Sequence, residues 1–199
     1  KLLDKLSMYG IDTHWFAEYL QNHQQRVKIT TKDGNKILSR PLPNTTGVYQ
    51  GDSLSCLLFF CFHNELNLYS EKTKLVSFAD DTQIWISGPK QNISDMITCL
   101  ESELSVIFDW FSQNSLKLNS SKTQVIVFGT RAMLRDLPTV SVRVGNAVVS
   151  ECREVKNLGV HMDRYLTYGD HIDHVVRKCT GILIALSHVS HALPNSTMK

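Results

Sequence analysis

Two short apolar runs, Lys74 to Phe78 and Gln83 to Ile86, are separated only by Ala79-Asp80-Asp81-Thr82. A gap that short cannot hold a crossover connection, so the two runs must pair antiparallel as a hairpin. Successive residues on a strand face opposite sides of a sheet. At a hairpin tip the backbone turns, and Asp80 and Asp81 can both approach one electropositive species. A divalent cation suits that arrangement, because Mg²⁺ takes oxygen ligands and is held by one or two carboxylates together with substrate phosphates. Two such ions about 3.5–4 Å apart can stabilise the attacking and leaving oxygens of a phosphoryl transfer. Taken alone, the pair reads first as an ordinary polar turn, where Asp is favoured for its side-chain hydrogen bonds.

The rest of the chain alternates strands with long helices. Leu2 to Tyr9 has helical register and is stopped by Gly10, and Asp12 or Thr13 can cap a second helix from His14 to Asn22. Arg26 to Thr31 and the residues around Ile37-Leu38 read as strands joined by the turn Lys32-Asp33-Gly34-Asn35. A helix is expected from Leu54 to Tyr69, with an apolar face broad enough to be buried against a sheet. Further helices are expected over Ser94–Gln113 and Asp170–Leu193, the second with a stripe of Ile172, Val175, Val176, Cys179, Ile182, Leu183 and Leu186. Gln124 to Phe128 reads as a strand, Val140 to Val149 as a hairpin about Gly145-Asn146, and Val155 to Met162 as another strand pair. This order implies an α+β fold in which helices back an antiparallel sheet.

Bulk properties exclude little beyond a membrane span. No apolar run reaches the roughly 18 residues needed to cross a bilayer; Leu54 to Phe62 is broken by Ser55 and stops at His63-Asn64-Glu65. The net charge is +2, and neither a strong basic excess nor a basic stripe is obvious. The five cysteines have no Cys-x-x-Cys spacing. Cys56, Cys61, Cys99 and Cys179 lie among apolar residues, as expected of reduced core thiols in an intracellular protein, nuclear or cytoplasmic and not secreted. The sequons at Asn44, Asn92, Asn119 and Asn195 are then chance matches. Lys1 already stands in helical register and Pro194 to Lys199 come directly off a helix, so a piece of a longer chain is expected.

Three further groups could do chemistry. Gly47-Val48-Tyr49-Gln50-Gly51 precedes a helix capped by Asp52 or Ser53, so bare backbone could approach a flat ligand beside a helix N-terminus. Gln50 offers a donor and an acceptor to a base or ribose, although the segment is also a plain loop-to-helix junction. Lys122 precedes the Gln124 strand, where an ammonium could reach a pyrophosphate; considered alone it is a solvated lysine. The pairs His171/His174 and His188/His191 each share a helix face, but zinc needs about four ligands and Cys179 does not complete a set. Trp85, Trp110 and the Phe59 to Phe62 cluster read as core.

Taken in order, these pieces resemble reverse transcriptases of non-long-terminal-repeat retrotransposons, closest to jockey-like arthropod elements. Gly47 to Ser55 with Leu57-Leu58-Phe59 resembles the motif after the first catalytic strand, and Phe78-Ala79-Asp80-Asp81-Thr82 the aromatic-Ala-Asp-Asp signature. Trp110 to Thr123 resembles the next motif, and Lys156-Asn157-Leu158-Gly159-Val160 the Leu-Gly turn of the primer grip. The resemblance implies a polymerase palm, ferredoxin-like, followed by the start of a helical thumb. Residues 1–46 would be helices and a hairpin of palm and fingers, 47–165 the palm core, and 166–199 the start of the thumb. It implies Asp80 and Asp81 as metal ligands for Mg²⁺ or Mn²⁺, two ions in the complete enzyme, and Lys122 assisting the triphosphate. Gly47, Gln50, Gly51 and Ser53 would line the nucleotide and template pocket, and Leu158 and Gly159 would position the primer end. The partners implied are an RNA template, a DNA primer and deoxynucleoside triphosphates. Two departures stand out: Tyr49 and Cys56 replace prolines usual in the family. The family's third metal-binding aspartate lies on a strand before the Leu2 helix, so these residues alone are expected to bind metal weakly and be inactive; a non-catalytic remnant that binds nucleic acid or protein is the alternative.

Overall fold

The computed structural model describes residues 1–21 and 23–190. They form an α+β fold of helices and short strands. Helix α1 (Leu2–Met8) ends before Gly10, whose φ of +75° turns the chain. Helix α2 (His14–Leu20) starts where the Asp12 carboxylate accepts from the His14 amide at 3.0 Å. Its expected last residue, Asn22, lies outside the described residues.

Strands β1 (Gln24–Gln25), β2 (Lys28–Thr30), β3 (Lys36–Leu38) and β4 (Leu42–Pro43) form one antiparallel ribbon in two pairings, β2 with β3 and β1 with β4. Helix α3 (Ser53–His63) follows, then a 3₁₀ turn over Asn64–Tyr69, then the hairpin of β5 (Lys74–Phe78) and β6 (Asp81–Trp85). Helix α4 (Ile93–Gln113) leads to the short α5 (Arg131–Leu134) and two more hairpins. These are β7 (Ser141–Val144) with β8 (Ala147–Ser150), and β9 (Glu154–Asn157) with β10 (Val160–Asp163). Helix α6 (Gly169–Ser190) closes the described chain; the expected continuation to Leu193 lies outside it.

The chain divides into two compact units, and the boundary falls inside α4. The first, Lys1–Ile86 with Asp109–Leu116, packs α1 against α3 and buries Leu6, Leu58, Leu66 and Trp110. Lys5 is buried with them: its ammonium meets Glu65 Oε1 at 2.5 Å and the Phe62 carbonyl at 3.0 Å, and it lies over the rings of Phe62 and Trp110. Trp110 Nε1 donates to the same Glu65 oxygen at 2.7 Å. A buried charge is tolerable only when paired and hydrogen-bonded in this way. The second unit, Ser87–Phe108 with Lys117–Lys199, buries Leu104 and Ile107 of α4 together with Val140, Val142, Val144 and Val155. Gly145 turns the β7–β8 hairpin at φ +58°, and a Cβ there would fall 2.5 Å from Phe108 Cε2.

Several expectations change. Among the described residues the strands pair two by two and do not join into one antiparallel sheet, because alternation specifies a strand's faces but not which neighbour it finds. The span expected as one helix from Leu54 to Tyr69 breaks after His63, where Asn64 and Asn67, both poor helix formers, take 3₁₀ geometry. Helix α3 packs on α1, and its Leu57 and Phe60 stay exposed. Among the described residues Gln124 to Phe128 forms no strand, and makes only an isolated parallel bridge from Val125 to Glu151. Trp85 is 42% exposed and not core. The cysteines are free thiols, yet Cys56 and Cys179 are exposed and the other three half-buried.

Candidate active site

The carboxylate pair sits where the hairpin argument places it. Phe78 pairs with Asp81, which leaves Ala79-Asp80 as a two-residue turn. Such tight turns need positive φ, and Ala79 supplies it at +52° although it has a Cβ. A non-glycine residue in that region costs on the order of 1–2 kcal/mol, and strain of this kind collects at functional sites. Ser77 and Thr82, opposite each other, bring their hydroxyls to 3.3 Å on the half-buried face. Asp81 therefore shares the other face with Phe78, which is 63% exposed. Both Asp80 and Asp81 are exposed.

The donor set suits a hard cation that brings its own oxygens. Two adjacent carboxylates match the one or two that Mg²⁺ takes from protein when phosphates supply the rest. Among the described residues, no group of three or more His, Cys, Asp or Glu side chains gathers to hold a metal on its own. The expected pair His171/His174 gains a neighbour in His161, which lies 6.3 Å from His171 and 5.1 Å from His174, ring to ring, but these three belong to no such group. His191 lies outside the described residues.

The glycine loop belongs to the same unit. Gly47 and Gly51 adopt φ of +83° and +94°, and nothing lies within 4 Å of where a Cβ would stand on either. Glycine is required here by conformation, and the space beside it is open for an approaching molecule. Asp52 caps α3 by accepting from the Leu54 amide at 3.3 Å, leaving Ser53 as the first helical residue. The Tyr19 hydroxyl donates to the other Asp52 oxygen. That bond holds the Asp52 carboxyl below the usual range, with help from the Leu54 amide, and raises the Tyr19 phenol. The Tyr49 ring packs 4.0 Å from His23 and edge-on to Tyr19. Aromatic packing thus anchors the loop at the position where the family usually has proline. Gln50 and Gly51 remain exposed.

The other predicted site residues lie in the second unit. Lys122 is exposed on a turn built by Asn119, whose carbonyl accepts from the Lys122 and Thr123 amides at 3.1 Å and whose side chain accepts from Ser121. Leu158 and Gly159 form a two-residue turn between β9 and β10, with φ of +46° and +87°. Leu158 is the less expected of the two, since bulky residues rarely take positive φ, and it is 52% exposed. At the end of β10, Asp163 accepts from the Tyr165, Thr167 and Tyr168 amides and fixes the turn into α6. A cavity of about 370 Å³ lies there, lined by Arg153, Glu154, Asp163, Arg164, Tyr165 and Asp170, and none of the predicted site residues lines it. Sequence reasoning missed the contact from Tyr19 to Asp52, because a pairing across 33 residues leaves no local pattern.

Residues 1–162 match the family described as reverse transcriptase (RNA-dependent DNA polymerase). Two proteins of Drosophila melanogaster are similar. A probable RNA-directed DNA polymerase from transposon BS is 26% identical over 178 residues, which cover 86% of this chain and 18% of that protein. The RNA-directed DNA polymerase from mobile element jockey is 23% identical over 159 residues, covering 76% of this chain and 16% of that protein. The chain therefore spans less than a fifth of the length of these relatives. No solved structure matches.

Proposed function

Because the chain belongs to the reverse transcriptase family, we propose that the Asp80-Asp81 hairpin is the metal-binding part of a nucleotidyl-transfer site of a mobile-element polymerase, resembling the jockey type. The observation that carries the reading is the turn itself, with one exposed carboxylate in the strained two-residue tip and the other on the strand residue that follows, within the residues the family matches. In this reading residues 47–165 are palm core and 166–199 begin the thumb, while 1–46 supply flanking helices and a hairpin. The protein works inside the cell, in nucleus or cytoplasm.

Asp80 and Asp81 would hold Mg²⁺ or Mn²⁺ through oxygen atoms, and such ions, when bound, neutralise charge on the triphosphate and activate the primer 3′-hydroxyl. This chain's own groups do the remaining work. Gln50, exposed beside Gly51, offers its amide to a base or ribose, and the open space at Gly47 and Gly51 admits a flat ligand against the loop. Ser53 at the first turn of α3 presents a hydroxyl and an amide beside it. The resemblance assigns Lys122, an exposed ammonium, to the triphosphate and the Leu158-Gly159 turn, with its exposed leucine, to the primer end. The substrates are an RNA template, a DNA primer and deoxynucleoside triphosphates. Two carboxylates, where the resemblance implies three, hold a metal only weakly.

Primer extension on an RNA template, with Mg²⁺ or Mn²⁺, tests this. Product that disappears in Asp80→Ala supports catalysis at this pair. No product, with undiminished binding to primer–template, favours a second reading in which the chain only binds nucleic acid. The absence of a third converging carboxylate among the described residues is the observation on that side.

A further inference from the structure

The ribbon from Arg26 to Arg40 carries Arg26, Lys28, Lys32, Lys36 and Arg40 against a single carboxylate, Asp33. Its net charge is +4 in a chain whose total is +2, so the other residues together are negative. The register places two of these cations, Lys28 and Lys36, on one face. Lys28 pairs with Leu38, Ile29 with Ile37 and Thr30 with Lys36. Opposed residues share a face, as do residues two apart along a strand. Lys28, Thr30, Lys36 and Leu38 therefore lie on one side, with Ile29 and Ile37 on the other. The Ser39 amide donates to the Val27 carbonyl at 2.9 Å, and the Val27 amide to Ser39 Oγ at 3.0 Å, so the pairing continues outward. Arg26 and Arg40 flank this paired segment and Lys32 lies in its turn; before β1 pairs β4 the register shifts by one residue, so the alternation is carried no further.

All five cations are exposed, and among the described residues none forms an ion pair with a carboxylate. Lys28 and Lys36 are diagonal neighbours across the ribbon, about 7–8 Å apart, a spacing of roughly two phosphates along one nucleic-acid strand.

We propose that this cationic face of the ribbon is a docking surface for the phosphodiester backbone of a nucleic acid. It rests on the reading of the chain as a nucleic-acid polymerase and assigns that function a surface of its own, away from the carboxylate hairpin in sequence. Contacts of this kind position a duplex without reading its sequence, and they release condensed counterions, so affinity falls steeply with salt.

The experiment is fluorescence anisotropy of a labelled RNA–DNA duplex titrated with the 199-residue chain across a series of KCl concentrations. The variant Lys28→Gln/Lys36→Gln removes two phosphate contacts. The slope of log affinity against log salt should shrink by about 1.4–1.8, the loss expected for two contacts. A control removing the same charge elsewhere, Lys90→Gln/Arg135→Gln, should leave the slope unchanged, with circular dichroism confirming that both variants are folded. Equal slope changes in the two variants, or an unchanged slope in the first, overturn the proposal. So does unchanged duplex binding coupled with lost retention on phosphatidylserine vesicles, which would make the ribbon a lipid-binding element. Asp80→Ala separates this surface from the active-site reading: if that reading alone fails, metal dependence is indifferent to Asp80 while the ribbon variant still flattens the salt slope.

Discussion

Replacing Lys5 with Met removes the ammonium while keeping an unbranched apolar stem, so the perturbation is nearly pure charge. In the native chain that ammonium is 2.5 Å from Glu65 Oε1 and lies 4.1 and 4.8 Å from the ring centroids of Phe62 and Trp110. Removing one partner of a buried pair costs about 3–5 kcal/mol. The Glu65 side chain keeps 26% of its exposure, so water recovers part of that, and about 2–3 kcal/mol remains. Lost cation–π contact adds about 0.5–1 kcal/mol. The double variant Lys5→Met/Glu65→Gln keeps an acceptor for Trp110 Nε1 and leaves no buried charge unpaired, so its loss should be only about 1 kcal/mol. Urea unfolding at neutral pH, followed by tryptophan fluorescence, measures both. If the double variant is as unstable as the single one, the charge pair is not what holds α1 to this core. The pair also sets a pH dependence. Burial alone would raise the Glu65 carboxyl, but hydrogen bonds from Lys5 and Trp110 and the Lys5 charge outweigh it, and the group is held below its ordinary value. A depressed carboxyl stabilises the fold above its unfolded value, about 4.3, and that stability is lost as pH falls through the folded value. The advantage of the native chain over Glu65→Gln should therefore vanish in acid.

Gly145→Ala puts a Cβ against the Phe108 ring at a positive φ, so it should cost about 2–4 kcal/mol from overpacking and strain combined; Gly159→Ala, with open space around it, should cost about 1–2 kcal/mol from strain alone, and thermal melts separate the two. Leu158→Asn relieves the left-handed leucine at φ +46° and should stabilise the chain by about 0.5–1 kcal/mol, while weakening primer–template affinity if the leucine touches the primer. Burial lowers the His63 imidazole, and the nearby Lys5 charge lowers it further. The unfolded chain then binds the proton more readily, so stability falls as pH drops below about 6.5. His63→Phe, whose ring can keep the stack on Phe59, should be flatter over that range in pH-dependent denaturation.

What the sequence made legible was local. The β5–β6 hairpin followed from two apolar runs too close for any other pairing, and the Gly145 turn from turn chemistry between alternating strands, whereas the Leu158-Gly159 turn came from the resemblance. Helix α4 was readable because Leu104 and Ile107 recur on a helical period, and both are buried, with Trp110 of the same helix. Partners distant in the chain were not readable. Strand alternation over Gln124 to Phe128 does not say whether a neighbour is in register, and only Val125 finds one. The ribbon's basic face escaped because its cations are diluted by alternate Val, Ile and Thr, and because a net charge of +2 averages it against an acidic remainder. Only the register of Lys28, Thr30 and Lys36 brings them to one side. Tyr49 shows the same limit: as a departure from proline it implies a looser loop, whereas its ring packs against His23 and Tyr19.

The central claim is that Asp80 and Asp81 hold the metal of a nucleotidyl-transfer site, and paramagnetic broadening by Mn²⁺ tests it without requiring turnover. Amide resonances of the 199-residue chain are recorded as Mn²⁺ is titrated in the presence of a deoxynucleoside triphosphate. Broadening should centre on Ala79 to Thr82 and disappear in Asp80→Asn/Asp81→Asn. Broadening that centres elsewhere, or that survives the double substitution, contradicts the assignment of this hairpin as the metal site.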